Sequence, residues 1–140
     1  MTAQSVPFAA DVFTWPSDAP QLIGARCPQC VAVTFPMQPS CPRCGSTQME
    51  RHLLPRRGTL WSWTTQEFLP KEPYAGGETE ETFKPFGVGV VQLGDEVRVE
   101  ARLTEADPKK LKSGGEVELT LFPFRTEGET TVLSFAFKPV

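Results

Sequence analysis

The chain of 140 residues is poor in the groups that enzymes commonly use for acid–base or nucleophilic catalysis. It has a single histidine, His52, and its four cysteines all fall in two C-x-x-C pairs. It contains no G-x-S-x-G motif and no glycine-rich phosphate loop. A hydrolytic triad needs a nucleophile, a base and an orienting group, so the sequence gives such a site no support. We therefore expect this chain to supply no catalytic residues.

Long apolar runs and an excess of positive charge are also absent. No apolar stretch approaches the roughly 20 residues that span a bilayer. Residues 1–8 lack the basic region followed by an apolar region that marks a signal peptide. The net charge of −3 gives no general attraction to nucleic-acid phosphates or to anionic lipid. We expect a cytoplasmic protein that binds neither membrane nor nucleic acid.

The composition that remains is typical of a small globular protein made mainly of β-structure. Apolar residues make up 39% of the chain, with ten phenylalanines and three tryptophans. The 14 prolines and 11 glycines favour short strands and loops over long helices. We predict three segments: an irregular or short helical lead-in over 1–20, a zinc ribbon over 21–54, and a β-barrel over 55–140.

The cysteines follow the pattern Cys27-Pro-Gln-Cys30, then ten residues, then Cys41-Pro-Arg-Cys44-Gly45. Two residues between the members of each pair permit a tight turn that directs both thiolates to one point. Proline fixes φ in that turn, and Gly45 permits the positive φ that closes it. Four sulfurs complete a tetrahedral site and leave no open position for water or substrate, so the metal would be structural.

Zinc is the metal that we predict for this site, with iron as the alternative because both suit four-sulfur coordination. A segment of about thirty residues buries too little apolar surface to fold alone, and zinc binding contributes on the order of 10 kcal/mol. Two disulfides are a competing interpretation, but they are rare in the reducing cytoplasm. A thioredoxin-like redox pair requires a βαβ setting that this sequence lacks.

The barrel segment shows the alternation of half-buried strands. Apolar residues occupy every second position over 97–103, and charged residues fill the gaps. The more apolar strand Phe86–Leu93 precedes it, joined by a Gly94-Asp95 hairpin turn. Three more strands are predicted over Thr59–Phe68, Glu116–Phe124 and Thr131–Lys138, with a helical turn over Ala106–Leu111 before the last two. This is the element order of a five-stranded OB barrel.

Four local features each have two explanations that the sequence leaves open. The long segment Pro70–Pro85 is either a solvated loop or a binding loop. Gly87 and Gly89, inside a strand, mark a bulge or a close approach of backbone. Trp61 and Trp63 belong to the barrel core or to a ligand-stacking surface. A basic cluster at the junction forms salt bridges or contacts a phosphate; its members are Arg51, His52, Arg56 and Arg57.

Taken together, these motifs resemble the zinc-ribbon OB-fold proteins associated with acyl-CoA metabolism. The resemblance covers roughly residues 20–140. It is carried by five stretches: Cys27–Cys30, Pro39–Ser46, Arg57–Thr64, Pro85–Leu93 and Phe135–Val140. It implies a rubredoxin-like ribbon followed by an OB barrel, and a chain without catalytic residues of its own.

The resemblance also implies a function. Members of this family bind thiolase-like enzymes and help form the acyl-CoA channel. Some resemble obligate subunits of thiolase-type aldolases, which are carbon–carbon lyases that shorten sterol side chains by retro-aldol cleavage. We therefore expect an accessory subunit of a heteromeric enzyme. The chain would help form the acyl-CoA site at which the partner cleaves a sterol side-chain acyl-CoA, in lipid metabolism and steroid degradation. A nucleic-acid-binding ribbon and OB module is the alternative.

Site residues follow from this interpretation. Arg56 and Arg57 are the candidates for contact with the CoA phosphates. The aromatic side chains exceed what a small core must hold, so some are expected to anchor a partner. The predicted interface residues are Phe8, Phe13, Trp15, Tyr74, Phe122 and Phe124.

Overall fold

The computed structural model describes residues 4–140, which form nine strands and no helix. The N-terminal and ribbon strands are β1 (Gln4–Pro7), β2 (Ile23–Arg26), β3 (Val33–Thr34) and β4 (Glu50–Leu53). The barrel strands are β5 (Arg57–Gln66), β6 (Phe86–Leu93), β7 (Val97–Leu103), β8 (Glu116–Glu127) and β9 (Thr130–Pro139). Among residues 4–140 there is no helix with the length and apolar character that crossing a membrane requires.

The barrel closes through five strands in the order β5-β6-β7-β9-β8, and β8 returns to pair with β5. Its one parallel pairing joins β7 to β9 at Leu103 and Phe137, while the other neighbours run antiparallel. Closure leaves no unpaired edge around the barrel. The predicted fold class, a ribbon followed by a five-stranded barrel, is confirmed.

The ribbon and the barrel share one apolar core. In the ribbon sheet, β2 lies between β3 and β4, and its residues from Ile23 to Ala25 are buried. Leu22 and Leu54 flank the ribbon strands and are fully buried against barrel residues such as Leu60 and Val91. Each fully buried aliphatic or phenyl side chain contributes about 1.5–3 kcal/mol. Folding of the ribbon therefore adds directly to the stability of the barrel.

The period-two pattern read from the sequence places the expected side chains inside the barrel. Val99 and Leu103 of β7 are buried, and so are Val117 and Leu119 of β8. Successive side chains of a strand point to opposite faces, so the charged residues of β7 lie outside. Trp63 packs against the core, whereas Trp61 is 55% exposed.

Strands β8 and β9 extend beyond the barrel as a hairpin arm, defined here as residues 122–133. The sequence predicted that β8 ends at Phe124, but pairing continues to Glu127, and β9 begins at Thr130. Strand β1 pairs in parallel with the β9 side of this arm, Val6 beside Val132. Alternation of apolar and polar residues fades in the arm, which is why the sequence did not reveal its length.

Of the two forms predicted for the lead-in, the structure shows the irregular one, and the predicted turn over Ala106–Leu111 does not extend into a helix. In the lead-in, β1 is followed by irregular backbone and a single bridge between Phe13 and Leu22; Met1 to Ala3 lie outside the described residues. The segment Ala106–Leu111 contains one turn, in which the Lys110 amide donates to the Asp107 carbonyl at 2.9 Å. The Lys109 amide donates to the Asp107 carboxylate, also at 2.9 Å. Short connections on both sides leave no room for a second turn.

Gly87 allows the chain to pass closely behind β6. A Cβ atom at this position would lie 2.3 Å from the carbonyl oxygen of Glu105 and 3.1 Å from the Leu103 Cβ. The sequence predicted a bulge or a close backbone approach here, and the structure shows the approach. The bulge lies instead in β5, between Leu60 and Ser62.

We predict that Gly87→Ala lowers the free energy of unfolding by about 2–3 kcal/mol, because backbone must move to admit the methyl group. Gly94→Ala is the matched control. Its Cβ would meet nothing within 4 Å, and only its φ of +57° opposes the substitution. An alanine in this left-handed conformation costs about 1–2 kcal/mol of stability. Urea denaturation of both variants measures the difference. A smaller loss for Gly87→Ala than for Gly94→Ala would contradict the steric explanation.

Candidate functional site

Two backbone turns of the same form present the four cysteines. In each turn, the amide of the residue that follows the pair donates to the carbonyl of the first cysteine. Val31 donates to Cys27 and Gly45 donates to Cys41, both at 2.9 Å. Val31 has a φ of 59° and Gly45 a φ of 78°, so both turns close through the left-handed region. The sequence predicted this conformation for Gly45 and missed it at Val31, because a β-branched residue rarely adopts it.

The four sulfurs converge on one point. The Sγ atoms of Cys27 and Cys44 are 3.5 Å apart, as are those of Cys30 and Cys41, and all four lie within 4.8 Å of one another. No disulfide joins them. Tetrahedral metal–sulfur bonds of about 2.3 Å place neighbouring sulfurs about 3.8 Å apart, so the set fits a single metal ion. All four corners belong to protein sulfurs, and such an ion would hold the ribbon together.

The electrostatics of the cluster also favour a cation. The backbone amide of Cys30 lowers the pKa of the Cys27 thiol to about 6. The Ser46 amide acts to lower the pKa of the Cys44 thiol. The hydrogen bond between the Cys44 and Cys27 sulfurs, burial, and the other cysteine sulfurs outweigh this effect and raise the pKa of Cys44 to about 12. Four thiolates at this separation repel one another. A divalent cation would offset that repulsion and allow all four to ionise.

The two arginines predicted to contact CoA phosphates lie together at the junction. Arg56 donates to the Pro20 carbonyl and pairs with Glu118 at 3.3 Å. Arg57 pairs with Glu116 at 3.1 Å and with Glu118 at 3.7 Å. Arg56 is mostly enclosed, whereas the Arg57 side chain is 58% exposed. Both guanidinium groups thus bind oxygens of their own chain, and their contact with a phosphate stays a prediction.

His52 also joins the ribbon to the barrel. Its Nε2 atom contacts the Glu96 carboxylate at the β6–β7 hairpin, and both side chains are half-buried. The single histidine of the chain therefore has a structural contact that explains its position.

The predicted interface aromatics separate into two groups. In the first group, Phe13 is 4% exposed and belongs to the core beside Leu22, so its ring is not free to contact a partner. Phe8 and Trp15 lie near it and are 40% and 38% exposed. These two remain candidates for contact with another protein.

The second group lines a groove on the outer face of the barrel. The Tyr74 and Phe124 rings meet edge to face at 5.6 Å, and Phe124 meets Phe122 at 6.3 Å. Together with β6 and β7 they enclose about 530 Å³ of open space. Arg125 of the hairpin arm donates to the Ala75 carbonyl at 3.1 Å, which holds the Pro70–Pro85 loop against the arm.

Sequence reasoning missed the central residue of this groove. The Arg102 guanidinium lies 3.8 Å from the centre of the Phe86 ring and 4.7 Å from that of Phe122. From the alternating pattern over 97–103, Arg102 is expected to be an ordinary surface charge. Strand alternation places Phe86 and Arg102 on the same outer face, but the hairpin arm that brings Phe122 to the other side is a tertiary feature.

The equivalent turn positions Val31 and Gly45 allow a matched test of the cysteine turns. Valine in the left-handed region costs about 1–2 kcal/mol, so we expect Val31→Gly to stabilise the metal-loaded protein by about 0.5–1 kcal/mol after the entropic cost of glycine. Gly45→Val should destabilise it by about 1–2 kcal/mol, since a Cβ there meets nothing within 4 Å and only the backbone opposes it. Thermal denaturation measures both. Loss of stability in Val31→Gly would rule out backbone strain at this turn.

Comparison with known proteins matches both parts of the chain to one family. Residues 18–50 match the model described as the ChsH2 rubredoxin-like zinc ribbon domain. Residues 52–122 match the model described as the ChsH2 C-terminal OB-fold domain. The boundary between the two matches falls in β4, next to His52.

Individual relatives cover most of the chain. It is 32% identical over 136 residues to the benzoylsuccinyl-CoA thiolase subunit BbsA of Thauera aromatica, covering 95% of this chain and 88% of the relative. It is 31% identical over 118 residues to a DUF35 domain-containing scaffold protein of Pyrococcus furiosus, covering 84% and 81%.

Among solved structures, a chain titled Ltp2-ChsH2(DUF35) aldolase has a TM-score of 0.62 and 24% identity, covering 85% of this chain and 84% of that one. At this identity the likeness concerns the fold. The family models and the relatives above 30% identity agree with it. The chain therefore belongs to the ChsH2 family, through both its rubredoxin-like zinc ribbon and its C-terminal OB-fold domain.

Proposed function

We propose that this chain is a non-catalytic accessory subunit of a thiolase-like enzyme and that it helps form the partner's acyl-CoA site. The observation that carries the proposal is the match over 95% of the chain to a thiolase subunit. A second BbsA subunit, from Geobacter metallireducens, matches at 31% identity over the same share of the chain. The reaction would make or break a carbon–carbon bond beside a CoA thioester. Retro-aldol cleavage of a sterol side-chain acyl-CoA is the finer form of this proposal.

The distribution of exposed apolar residues supports a heteromer. Val6, Phe8 and Trp15, all in the N-terminal lead-in, are each 37–40% exposed. A stable interface buries at least about 1,000 Å² in total, and aromatic side chains of this kind commonly centre it. Tyr74, Phe122 and Phe124 supply a second apolar surface at the groove.

Contact with CoA would involve the junction. Arg57 is the better placed of the two predicted arginines, because its side chain is exposed and its ion pairs with Glu116 and Glu118 lie at the surface. Surface ion pairs contribute about 0–1 kcal/mol, so a phosphate can displace them at little cost. Arg56, held by the Pro20 carbonyl, would then position this edge of the barrel.

We propose zinc as the metal, held by the four cysteines, and we predict one zinc ion per chain in protein purified without added metal. Elemental analysis measures it. Cys44→Ser should lose the metal and unfold the ribbon, and because Leu22 and Leu54 belong to the shared core, barrel stability should fall as well. Ser40→Ala, beside Cys41 and exposed, is the control that should keep its zinc. A stoichiometric iron signal, or a folded protein free of metal, would disprove this assignment.

The partnership is tested by co-expression with a candidate thiolase-like protein, followed by size exclusion and an assay of the enzyme with and without this chain. We expect co-elution and a requirement for the chain. Trp15→Glu should weaken the complex at least about thirtyfold, the loss expected for an interface hot spot of about 2 kcal/mol.

Phe68→Glu is the matched control, since Phe68 is 80% exposed and lies outside the predicted interface. It should leave the complex intact. Separate elution of the two proteins, together with equal turnover by the enzyme alone, would show that the chain is not an accessory subunit.

A further inference from the structure

Arg102 occupies an unusual position on the outer face of the barrel. Its guanidinium stacks on Phe86 at 3.8 Å and faces Phe122 at 4.7 Å. Aromatic rings attract a guanidinium through its flat faces. The N–H donors of arginine lie in the plane of the group, at its edge. One side of the Arg102 group contacts the Tyr74 hydroxyl, and its remaining donors can bind another ligand.

Arg102 also has no carboxylate partner among residues 4–140, where the ion pairs of arginine involve Arg56, Arg57 and Arg125. The nearby hydroxyl of Tyr74 does not act as its counter-ion. That hydroxyl donates to Glu78 at 2.8 Å, and burial followed by the Glu78 contact raises the pKa of Tyr74, although Arg102 acts to lower it. Tyr74 therefore stays neutral, and no carboxylate of the described residues forms a direct ion pair with Arg102.

Mainly apolar residues surround Arg102, and the space between them can hold an aromatic ring. The groove of about 530 Å³ is walled by the hairpin arm and by the loop that carries Tyr74. A second cleft of about 290 Å³ lies on the other side of Arg102 and includes Lys84. Glu100, two residues before Arg102 on the same strand, is an exposed carboxylate that also lines the groove. The groove thus has a cation between aromatic walls and one exposed carboxylate on the same strand.

We propose that this groove binds a carboxylate attached to an aromatic ring. The carboxylate accepts two N–H bonds from the edge of Arg102, the bidentate geometry that guanidinium favours, and the ring packs against Tyr74 and Phe124.

The chain contains one tyrosine, Tyr74, and that residue lies in the groove. Full-length protein labelled with 3-fluorotyrosine therefore gives a single ¹⁹F signal that reports on this site. Three probes separate the contributions: phenylacetate, its neutral isostere phenylacetamide, and acetate. We expect saturable shifts with phenylacetate in the range of about 1 mM. Phenylacetamide should bind at least about tenfold more weakly, and acetate should give no saturable shift.

Three variants show which charged side chain determines binding of the acid. Arg102→Met keeps an apolar side chain of similar length, and we expect it to weaken phenylacetate binding about tenfold, to the level of the amide. Arg98→Met is the matched control, because Arg98 stacks on Trp61 at 4.2 Å and does not line the groove. Its affinity for phenylacetate should stay unchanged. Glu100→Gln should tighten phenylacetate binding, since it removes a repelling carboxylate, whereas a site for cations would respond in the opposite way.

Equal binding of acid and amide by the unaltered protein would overturn the proposal, and so would full acid affinity in folded Arg102→Met. Should that variant fail to fold, Arg102→Lys answers the question, because it keeps the charge but loses the planar fork and should weaken acid binding severalfold. The titration needs no partner. A negative titration beside an intact complex rejects this inference alone, whereas a positive titration without a complex rejects the proposed function alone.

Discussion

Convergence of four cysteine sulfurs on one metal site is the constraint on which the rest of the molecule depends. The ribbon has little apolar surface of its own, yet Leu22 and Leu54 are fully buried in the core that it shares with the barrel. A metal held by the two cysteine turns would order them, β2 lies between β3 and β4, and residues beside this sheet pack into the barrel core. The stability of the barrel is therefore coupled to occupancy of a site that its own strands do not contribute to.

A metal coordinated by four protein sulfurs has no open position for a substrate, so its role is to stabilise the fold. Two surfaces of the folded chain are candidates for binding. One lies at the ribbon, where Phe8 and Trp15 are exposed beside the buried Phe13. The other is the groove between the barrel and the hairpin arm, where Arg102 lies between two phenyl rings. If the partner docks on the first surface and a ligand binds in the groove, as we propose, the chain would complete the binding site of a larger enzyme.

Local patterns were predictable because they depend on near neighbours in the chain. Alternation along 97–103 identified the buried face of β7, and two residues between paired cysteines identified the metal ligands. The conformation of Val31 was not predictable in this way, since its valine side chain argues against a positive φ that the hydrogen bond to Cys27 nevertheless imposes. The aromatic count correctly indicated an excess over the core, but it could not tell that Phe13 is buried while Phe8 is exposed.

The sequence by itself determined the ribbon, the barrel and their order, because cysteine spacing and strand periodicity act over only a few residues. The tertiary structure alone decided how distant segments meet. The sequence left open whether Arg56 and Arg57 form salt bridges or contact a phosphate, and the fold brings Glu116 and Glu118 of β8 to pair with them. Arg102 is one of the charges that alternate along β7 in the sequence, and the hairpin arm brings it a phenyl ring instead of a carboxylate. Pairing of charges across strands is set by barrel closure and register, which no local pattern encodes.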